Sequence, residues 1–586
     1  MHLFAIDGLR IALISGMLVA LLRVLQVSRA WCGAVAIPLI WFYTAATGWE
    51  SSAIRASVMM TIVLGGWALK RPGDTVNSLA AAAFVILLGE PRQLFEASFQ
   101  LSFFVVLVIA LMLPPLNKIP DRLWQADPLL PAELLPRWRR ALNATLRMLS
   151  RYCALSFAAW VGSIPLCAKY FHLFNPVSTP ANIVAVPLGT LALMSNLGSL
   201  VCGAWFPGAT ELFNHSAWFF MRAMTAVSEL ATRIPGAFFY VPAPSWLEIG
   251  IYYAVLVGAL SGWLFAPKQR IWSIPVLVLV AVGGLWQWQT SRGEIKLTVL
   301  PLNGGQAVFV DAAGRSNDWL VNCGDENAVD FTLKPFLRAQ GVNRVPRLVL
   351  THGDSRSCGG AELLDELFGV GEIYTGPAHF RSTVYREIIA EFERPSAGTS
   401  NRWGEATDEP STKNNSAREY ARPTKMPSRH KILNCGDMVG GWQVLHPDAA
   451  DDFEHADDGS LVLLGNFCGT RVLLVSDLGR AGQSVLLSRT NDLRADIVIA
   501  GLPDKGEPLC EALLDAVRPK VIVIADAERP ATRRAGPQLR ARLEQRGIPV
   551  IYTRTAGAVT IVTRRGGWDW STMGGQKNSN RTAAED

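Results

Sequence analysis

Long apolar runs broken by short polar stretches fill the first half of the chain, and short β-rich runs alternate with amphipathic helices in the second. An apolar run of about 18 or more residues is long enough to cross a bilayer as a helix. The pattern therefore predicts a polytopic α-helical membrane bundle over 1–290. It places about ten spans at 8–27, 30–48, 53–69, 76–90, 94–113, 152–170, 180–204, 214–232, 246–266 and 271–289. Some are marginal: the first carries Arg10 and Arg23, the fourth is short, and the eighth also suits a helix lying in the interface. From Glu294 onward KLTVLPL, AVFVDA, RLVLTHG, SLVLLGNF, TRVLLVSD, DIVIAGL and KVIVIAD read as strands, and LKPFLRAQG, AELLDELFG, PLCEALLDAV and PQLRARLEQRG as helices. That rhythm predicts an α+β sandwich of two mixed sheets with helices outside, an αββα arrangement, over 294–565. A polar segment at about 394–430 reads as a disordered insertion, and 566–586 as a disordered tail.

Composition sharpens this picture. With 50% hydrophobic and 18% charged residues among 586, the chain is too apolar for an ordinary soluble protein. The net charge of +6 gives no nucleic-acid footprint by itself, and its placement says more. Lys118 to Arg151 holds Arg122, Arg137, Arg139, Arg140 and Arg147 between two spans. Cytoplasmic loops are enriched in Lys and Arg. With this loop inside, the span count puts Arg29, Lys70 and Lys268 on the same side, and the C-terminal domain and Met1 outside the cytoplasm. A start outside the cytoplasm without a leader leads us to expect a missing upstream segment or a truncated start. The nine cysteines form no CxxC pair, which argues against a zinc knuckle. One disulfide among Cys323, Cys358, Cys435, Cys468 and Cys510 stays open. No GxxxxGK[ST] occurs, so any ATPase action is expected from a separate protein.

Several ionisable or amide groups lie in or beside the apolar spans: Asp7, Arg10, Arg55, Glu96 and Gln100. Such groups are expensive at membrane depth and usually face a bundle interior or a wet cavity. Pro165, Pro176, Pro180 and Pro187 are expected to interrupt helices, with Asn175, Ser178, Thr179 and Asn182 available to the freed backbone. The plainer reading is that these are contacts within any helical bundle. The basic loop also has two readings. An amphipathic interfacial helix with Arg on anionic headgroups is favoured over contact with DNA phosphates.

Four stretches stand in the order of one family. HLFAIDGLRIALISG at 2–16, GWESSAIRASVMM at 48–60, GEPRQLFEASFQLSF at 89–103 and YFHLFNPVSTPANIVAVPLGTL at 170–191 resemble the competence domain of ComEC-type DNA-internalisation channels. The family has Ser where Asp7 stands and His where Arg10 stands. In that family the competence domain is followed by a metallo-β-lactamase fold, and the C-terminal half resembles it. The resemblance implies single-stranded DNA, the lipid bilayer and DNA-uptake machinery with its own ATPase as partners, and a bacterial inner-membrane location. Oligomeric state is left open.

The run Thr351 to Gly360, THGDSRSCGG, has the frame of the family's metal loop, Thr-His-x-Asp-x-Asp-His-x-Gly-Gly. His352 and Asp354 hold their places, whereas Arg356 and Ser357 stand at two ligand positions. A guanidinium cannot ligate a divalent ion and repels one. The family's earlier Asp-rich loop has become PLNGGQ at 301–306, and its Asp-x-Gly strand end has become Asn322-Cys323-Gly324. Its bridging Asp survives as Asp477. Its His-His-Gly-Ser is replaced near Leu502-Pro503-Asp504-Lys505, and its final His-Pro looks like Gly536-Pro537. Three candidate ligands thus remain: His352, Asp354 and Asp477. His446, Asp448, His455, Asp457 and Asp458 read as a solvated loop, with a single weak divalent site as the alternative. Arg356 either contacts a phosphate that ions once held or reflects drift without a ligand. The expectation is a channel for single-stranded DNA in natural transformation, its polar groups Asp7, Arg10, Arg55, Gln100, Asn175 and Asn182. Its external hydrolase-like domain is expected to be inactive and to need no cofactor. The alternatives are a membrane-tethered metal-dependent nuclease and a membrane scaffold without a transport role.

Overall fold

A computed structural model describes residues 7–71, 74–123, 136–203, 205–261, 263, 293–312, 317–394 and 428–581. The chain divides into two compact units, one ending near Ile274 and one beginning near Pro275.

The first unit is helical. Its helices are α1 (Asp7–Val24), α2 (Arg29–Ala46), α3 (Ser51–Ala68), α4 (Thr75–Gly89), α5 (Ala97–Leu123), α6 (Arg137–Phe171), α7 (Ser178–Cys202), α8 (Pro207–Thr232) and α9 (Trp246–Leu260). Each of the first nine expected spans thus meets a helix, and 271–289 lies outside the described residues. Among the described residues, three stretches are long and apolar enough to cross a membrane: Ala97–Ile119, Ala141–Phe171 and Ser178–Cys202. Ile11–Val24, Thr75–Gly89 and Trp246–Leu260 are apolar but shorter. The count of ten is therefore not reached by length and composition. In α8 the reason is visible, since Glu211, His215, Arg222 and Glu229 form an exposed polar stripe along one face.

Two further expectations are corrected here. The basic stretch from Arg137 does not form a helix of its own but opens the 35-residue α6. At 1.5 Å per residue α6 extends about 52 Å, well beyond the roughly 30 Å apolar thickness of a bilayer. The prolines do not break the helices either. Pro165 and Pro187 sit inside α6 and α7, each removing one backbone bond. Pro180 falls in the first turn of α7, where its missing N–H has no helical acceptor to lose. Only Pro176 lies outside a helix, in the turn between β1 (Leu173–Phe174) and α7; β2 (Phe239–Tyr240) pairs with β1.

The second unit is a sandwich. Strands β3 (Ile295–Pro301), β4 (Gln306–Asp311), β5 (Trp319–Val321), β6 (Arg347–Leu350), β7 (Glu372–Thr375) and β8 (His430–Ile432) come first. Strands β9 (Met438–Val439), β10 (Trp442–His446), β11 (Val462–Phe467), β12 (Thr470–Ser476), β13 (Ile497–Ala500), β14 (Val521–Ile524) and β15 (Val550–Tyr552) follow. Strands β16 (Val559–Arg564), β17 (Gly567–Thr572) and β18 (Lys577–Arg581) return to the first sheet. The sheets run β18-β17-β16-β3-β4-β5-β6-β7-β8 and β15-β14-β13-β12-β11-β10-β9. Both are antiparallel on one side and parallel on the other, through β5 to β8 and β12 to β15.

Side chains alternate across each strand. Val349, Ile497 and Ile499 join Trp319 and Trp442 in the core between the sheets. Leu348 and Leu350 face a core shared with Leu364 and Phe368, and Val498 and Ala500 one shared with Leu513 and Leu543. Helices therefore cover both outer faces, giving the four layers the sequence predicted. All nine cysteines are free thiols, so the open disulfide does not form. Most of the expected insertion, 395–427, lies outside the described residues.

The tail expectation is overturned over 567–581, because β17 and β18 complete the first sheet and Trp568 is buried between the sheets. Three glycines and several polar residues hide this strand pair from a composition reading. A stop after Arg565 is expected to destabilise the sandwich by about 3–5 kcal/mol through loss of Trp568 alone. Chemical unfolding of the truncated chain checks it, where an unstructured tail would be lost without effect.

Candidate functional site

The candidate site lies where strands from both sheets end. In mixed sheets the loops at the carboxyl ends of parallel strands converge and carry ligand chemistry. Here β5 delivers Asn322, β6 delivers His352 and Asp354, β12 delivers Asp477, β13 delivers Asp504, and the loop after β14 delivers Arg533.

His352 is buried; its Nδ1 accepts a hydrogen bond, and its Nε2 faces a carboxylate. The backbone N–H of Asp354 donates to Nδ1 at 2.9 Å, so the ring proton sits on Nε2, which stands 3.0 Å from Asp457 Oδ1, off the ideal hydrogen-bond angle. Burial works against charging this ring, but Asp457, Asp477 and Asp354 outweigh it and raise its pKa. A second proton would displace the Asp354 N–H. Asp354 also caps the short helix Ser355–Cys358 by accepting from the Arg356 N–H.

Arg533 occupies the centre, with 3% of its surface exposed. Its Nη1 lies 2.7 Å from Asp477 Oδ2, its Nη2 3.4 Å from Asp354 Oδ2 and its Nε 3.0 Å from Asp504 Oδ1. Nη1 also donates to the carbonyl of Leu502. Two of the three candidate ligands thus bind a guanidinium. Burial alone would lower the pKa of Arg533, yet Asp477 and Asp504 raise it further. Burial raises that of Asp477, against the pull of Arg533 and His352.

The acidic-His cluster is a solvated loop only in part: His455 is exposed and Asp448 half-buried. His446, Asp457 and Asp458 are all buried. Besides facing His352, Asp457 accepts from the backbone N–H of Asp504 at 2.8 Å and of Lys505 at 3.2 Å. Asp458 accepts from the Gly482 N–H, and its carbonyl accepts from His446 Nε2 at 2.7 Å. Those backbone donors make burial tolerable, and they were invisible because they come from residues 24 to 48 positions away. His446 is held neutral by burial, with its pKa lowered.

The remaining expected positions are structural or peripheral. Asn322, buried at a φ of 58°, ties the end of β5 to Thr351 through its side-chain amide. Ser357 is buried in the short helix, where its carbonyl accepts from Cys323 N–H. Gly536 caps the helix Pro537–Gln545. Arg356 is half-buried; a Cβ on Gly304 would lie 3.3 Å from its Cδ and 3.7 Å from Arg533 Cγ, so both stems line the Gly304 turn. Sequence reasoning missed Arg533 and Gln306 and took Asp457 for part of a solvated loop. The Arg533 run, ERPATRR, carries no sequence sign that one of its arginines turns inward.

These residues do not fit a divalent ion. Nδ1 of His352 is used, Nε2 faces Asp457, and Asp354 and Asp477 hold Arg533. Among the described residues no group of three or more His, Cys, Asp or Glu is placed to bind a metal.

In the helical unit, Arg55 and Gln100 are buried. Gln100 donates to the Leu94 carbonyl at 2.9 Å and accepts from the Tyr170 hydroxyl at 2.8 Å. Asn175 Oδ1 accepts from the Ser178 N–H at the start of α7, and its carbonyl accepts from Trp160 Nε1. Asn182 is half-buried in α7. Asp7 and Arg10 fall in α1, and their side chains lie outside the described residues.

Residues 1–266 match the family model described as "Competence protein". The chain is 23% identical to ComE operon protein 3 of Bacillus subtilis, over 95% of this chain and 67% of that protein. It is 23% identical to competence protein ComA of Neisseria gonorrhoeae, over 97% of this chain and 71% of that protein. Among solved structures, a metallo hydrolase of Ignicoccus hospitalis is 16% identical, with 46% of this chain and 98% of that one covered at a TM-score of 0.27. CmlA, a diiron beta-hydroxylase from Streptomyces venezuelae, is 12% identical, with coverages of 46% and 54% and a TM-score of 0.28. Those scores are low, and the sandwich rests on the strand order above.

Two outcomes are expected. A Cβ on Gly501 would stand 1.7 Å from Asp477 Oδ1, so Gly501→Ala should displace that carboxylate and cost about 1–3 kcal/mol in chemical unfolding. His446 has a lowered folded-state pKa, so its contribution to stability is complete above the unfolded value of about 6.5 and is lost as pH falls toward the folded one. Melting curves from pH 8 to 5 should show a smaller acid loss in His446→Gln than in the parent.

Proposed function

We propose that this chain, whose residues 1–266 belong to the competence-protein family, passes single-stranded DNA through a bacterial inner membrane during natural transformation. The observation that carries this reading is Arg55. It is 2% exposed inside the matched region, and its Nε and Nη1 have no hydrogen-bond partner. A buried guanidinium with open donors is expensive, and such groups in membrane helices usually face a route for a polar solute. Glu96 interacts with it electrostatically. A phosphodiester offers the planar acceptor pair that a guanidinium binds best. The Gln100–Tyr170 pair and the hydrogen-bonded Thr44–Ser57 pair add polar groups in the same bundle.

In this reading the sandwich is a metallo-β-lactamase-type domain on the outer side of the membrane that does not hydrolyse its substrate. Arg533 supports that, because it takes up Asp354 and Asp477, carboxylates that a divalent ion activating water would need. Driving force comes from a separate ATPase of the uptake machinery.

Uptake of fluorescent DNA and transformant counts in a strain carrying Arg55→Gln test the reading. A fall of at least about tenfold is expected, the scale of one lost charged contact, with Arg55→Lys falling less and membrane levels of protein unchanged. Wild-type uptake by Arg55→Gln, or by a strain lacking the gene, contradicts it.

A further inference from the structure

We infer that Arg533 is the built-in cation of the sandwich, standing where a bound metal would otherwise neutralise the carboxylates gathered at the ends of β6, β12 and β13. The argument starts from charge. Asp354, Asp477 and Asp504 come from three different strand ends, two of them in the second sheet and one in the first. With Asp477 buried, their mutual repulsion would open the loops unless a cation sat among them. Arg533 reaches all three, and its fork also takes the Leu502 carbonyl.

The surroundings are shaped for that guanidinium. Gly304, at a φ of 86°, lets the β3–β4 turn pass against the stems of Arg533 and Arg356. Gly501 leaves the space that Asp477 needs to face Arg533. Gln306 is 2% exposed, and neither atom of its amide has a hydrogen-bond partner. Its Oε1 lies 3.4 Å from where a Gly501 Cβ would stand, on the side of Asp477. A polar group left unpaired there marks the remnant of a more demanding polar centre. An ion that exchanges with solvent has thus been replaced by one that is part of the chain. The site then needs no loading and answers to no chelator, and it fixes the first sheet to the second.

A double-mutant cycle on the full-length protein in detergent tests this, read as thermal midpoints with and without EDTA. In the parent, EDTA should leave the midpoint unchanged. Arg533→Met should lower it by roughly 10 °C, because it strands the Asp477 carboxylate. Asp477→Asn, which keeps the cation on Asp354 and Asp504, should lower it less, and the double variant should lose clearly less than the sum of the two. Should Arg533→Met not accumulate, Arg533→Lys replaces it in the same cycle. A fall of the parent midpoint in EDTA, or strictly additive losses, overturns the inference. Neither readout involves DNA, so its failure leaves the uptake reading standing, and a failed uptake test leaves the cycle intact.

Discussion

A guanidinium shared by three carboxylates is the constraint on which the sandwich's functional face depends. Asp477 is fully enclosed, and an enclosed carboxylate without a counter-ion is not tolerated. Because Arg533 supplies that counter-ion, the loops after β6, β12, β13 and β14 have one mutual arrangement. The neighbouring His352–Asp457 pair follows from the same economy: Asp457 is buried, and the imidazole and two backbone N–H groups take up its oxygens. The carboxylates of the pocket are thus met by groups of the chain itself, with the Gln306 amide left without a partner beside them.

The helical unit handles buried polarity the other way. Gln100 is fully engaged by Leu94 and Tyr170, and Asn175 by the start of α7, so both are corners of the framework. Arg55 keeps two donors open. Arg533 is tied to three carboxylates and a carbonyl, whereas Arg55 has two donors without a hydrogen-bond partner, which the proposed reading assigns to an acceptor from outside the protein. That contrast separates the structural half of the proposed function from its transporting half.

Much of the architecture was legible in the sequence because it rests on local apolar pattern. Short continuous apolar strands such as Ile497–Ala500, and the apolar run of α5, announce themselves locally. The sequence also shows Arg356 and Ser357 in the frame of THGDSRSCGG, which grounds the expectation of a degenerate metal loop. The replacement cation was not legible. Arg533 lies 179 residues from Asp354 and 56 from Asp477, in a loop with two other arginines. Only the strand order brings it in. Asp457 and Asp458 were misread for a related reason, as an acidic run looks solvated until distant backbone donors are placed against it. The strands after Arg565 were missed because Gly and polar residues dominate an edge that two tryptophans anchor.

The central claim is that the cation in this pocket is covalent. Native mass spectrometry of the full-length protein, released from detergent after equilibration with Zn²⁺ or Mn²⁺ and buffer exchange, measures it directly. The account predicts the mass of the polypeptide alone, with no ion retained by the parent. One or two divalent ions retained per chain, and lost on substitution of His352 or Asp477, would contradict it.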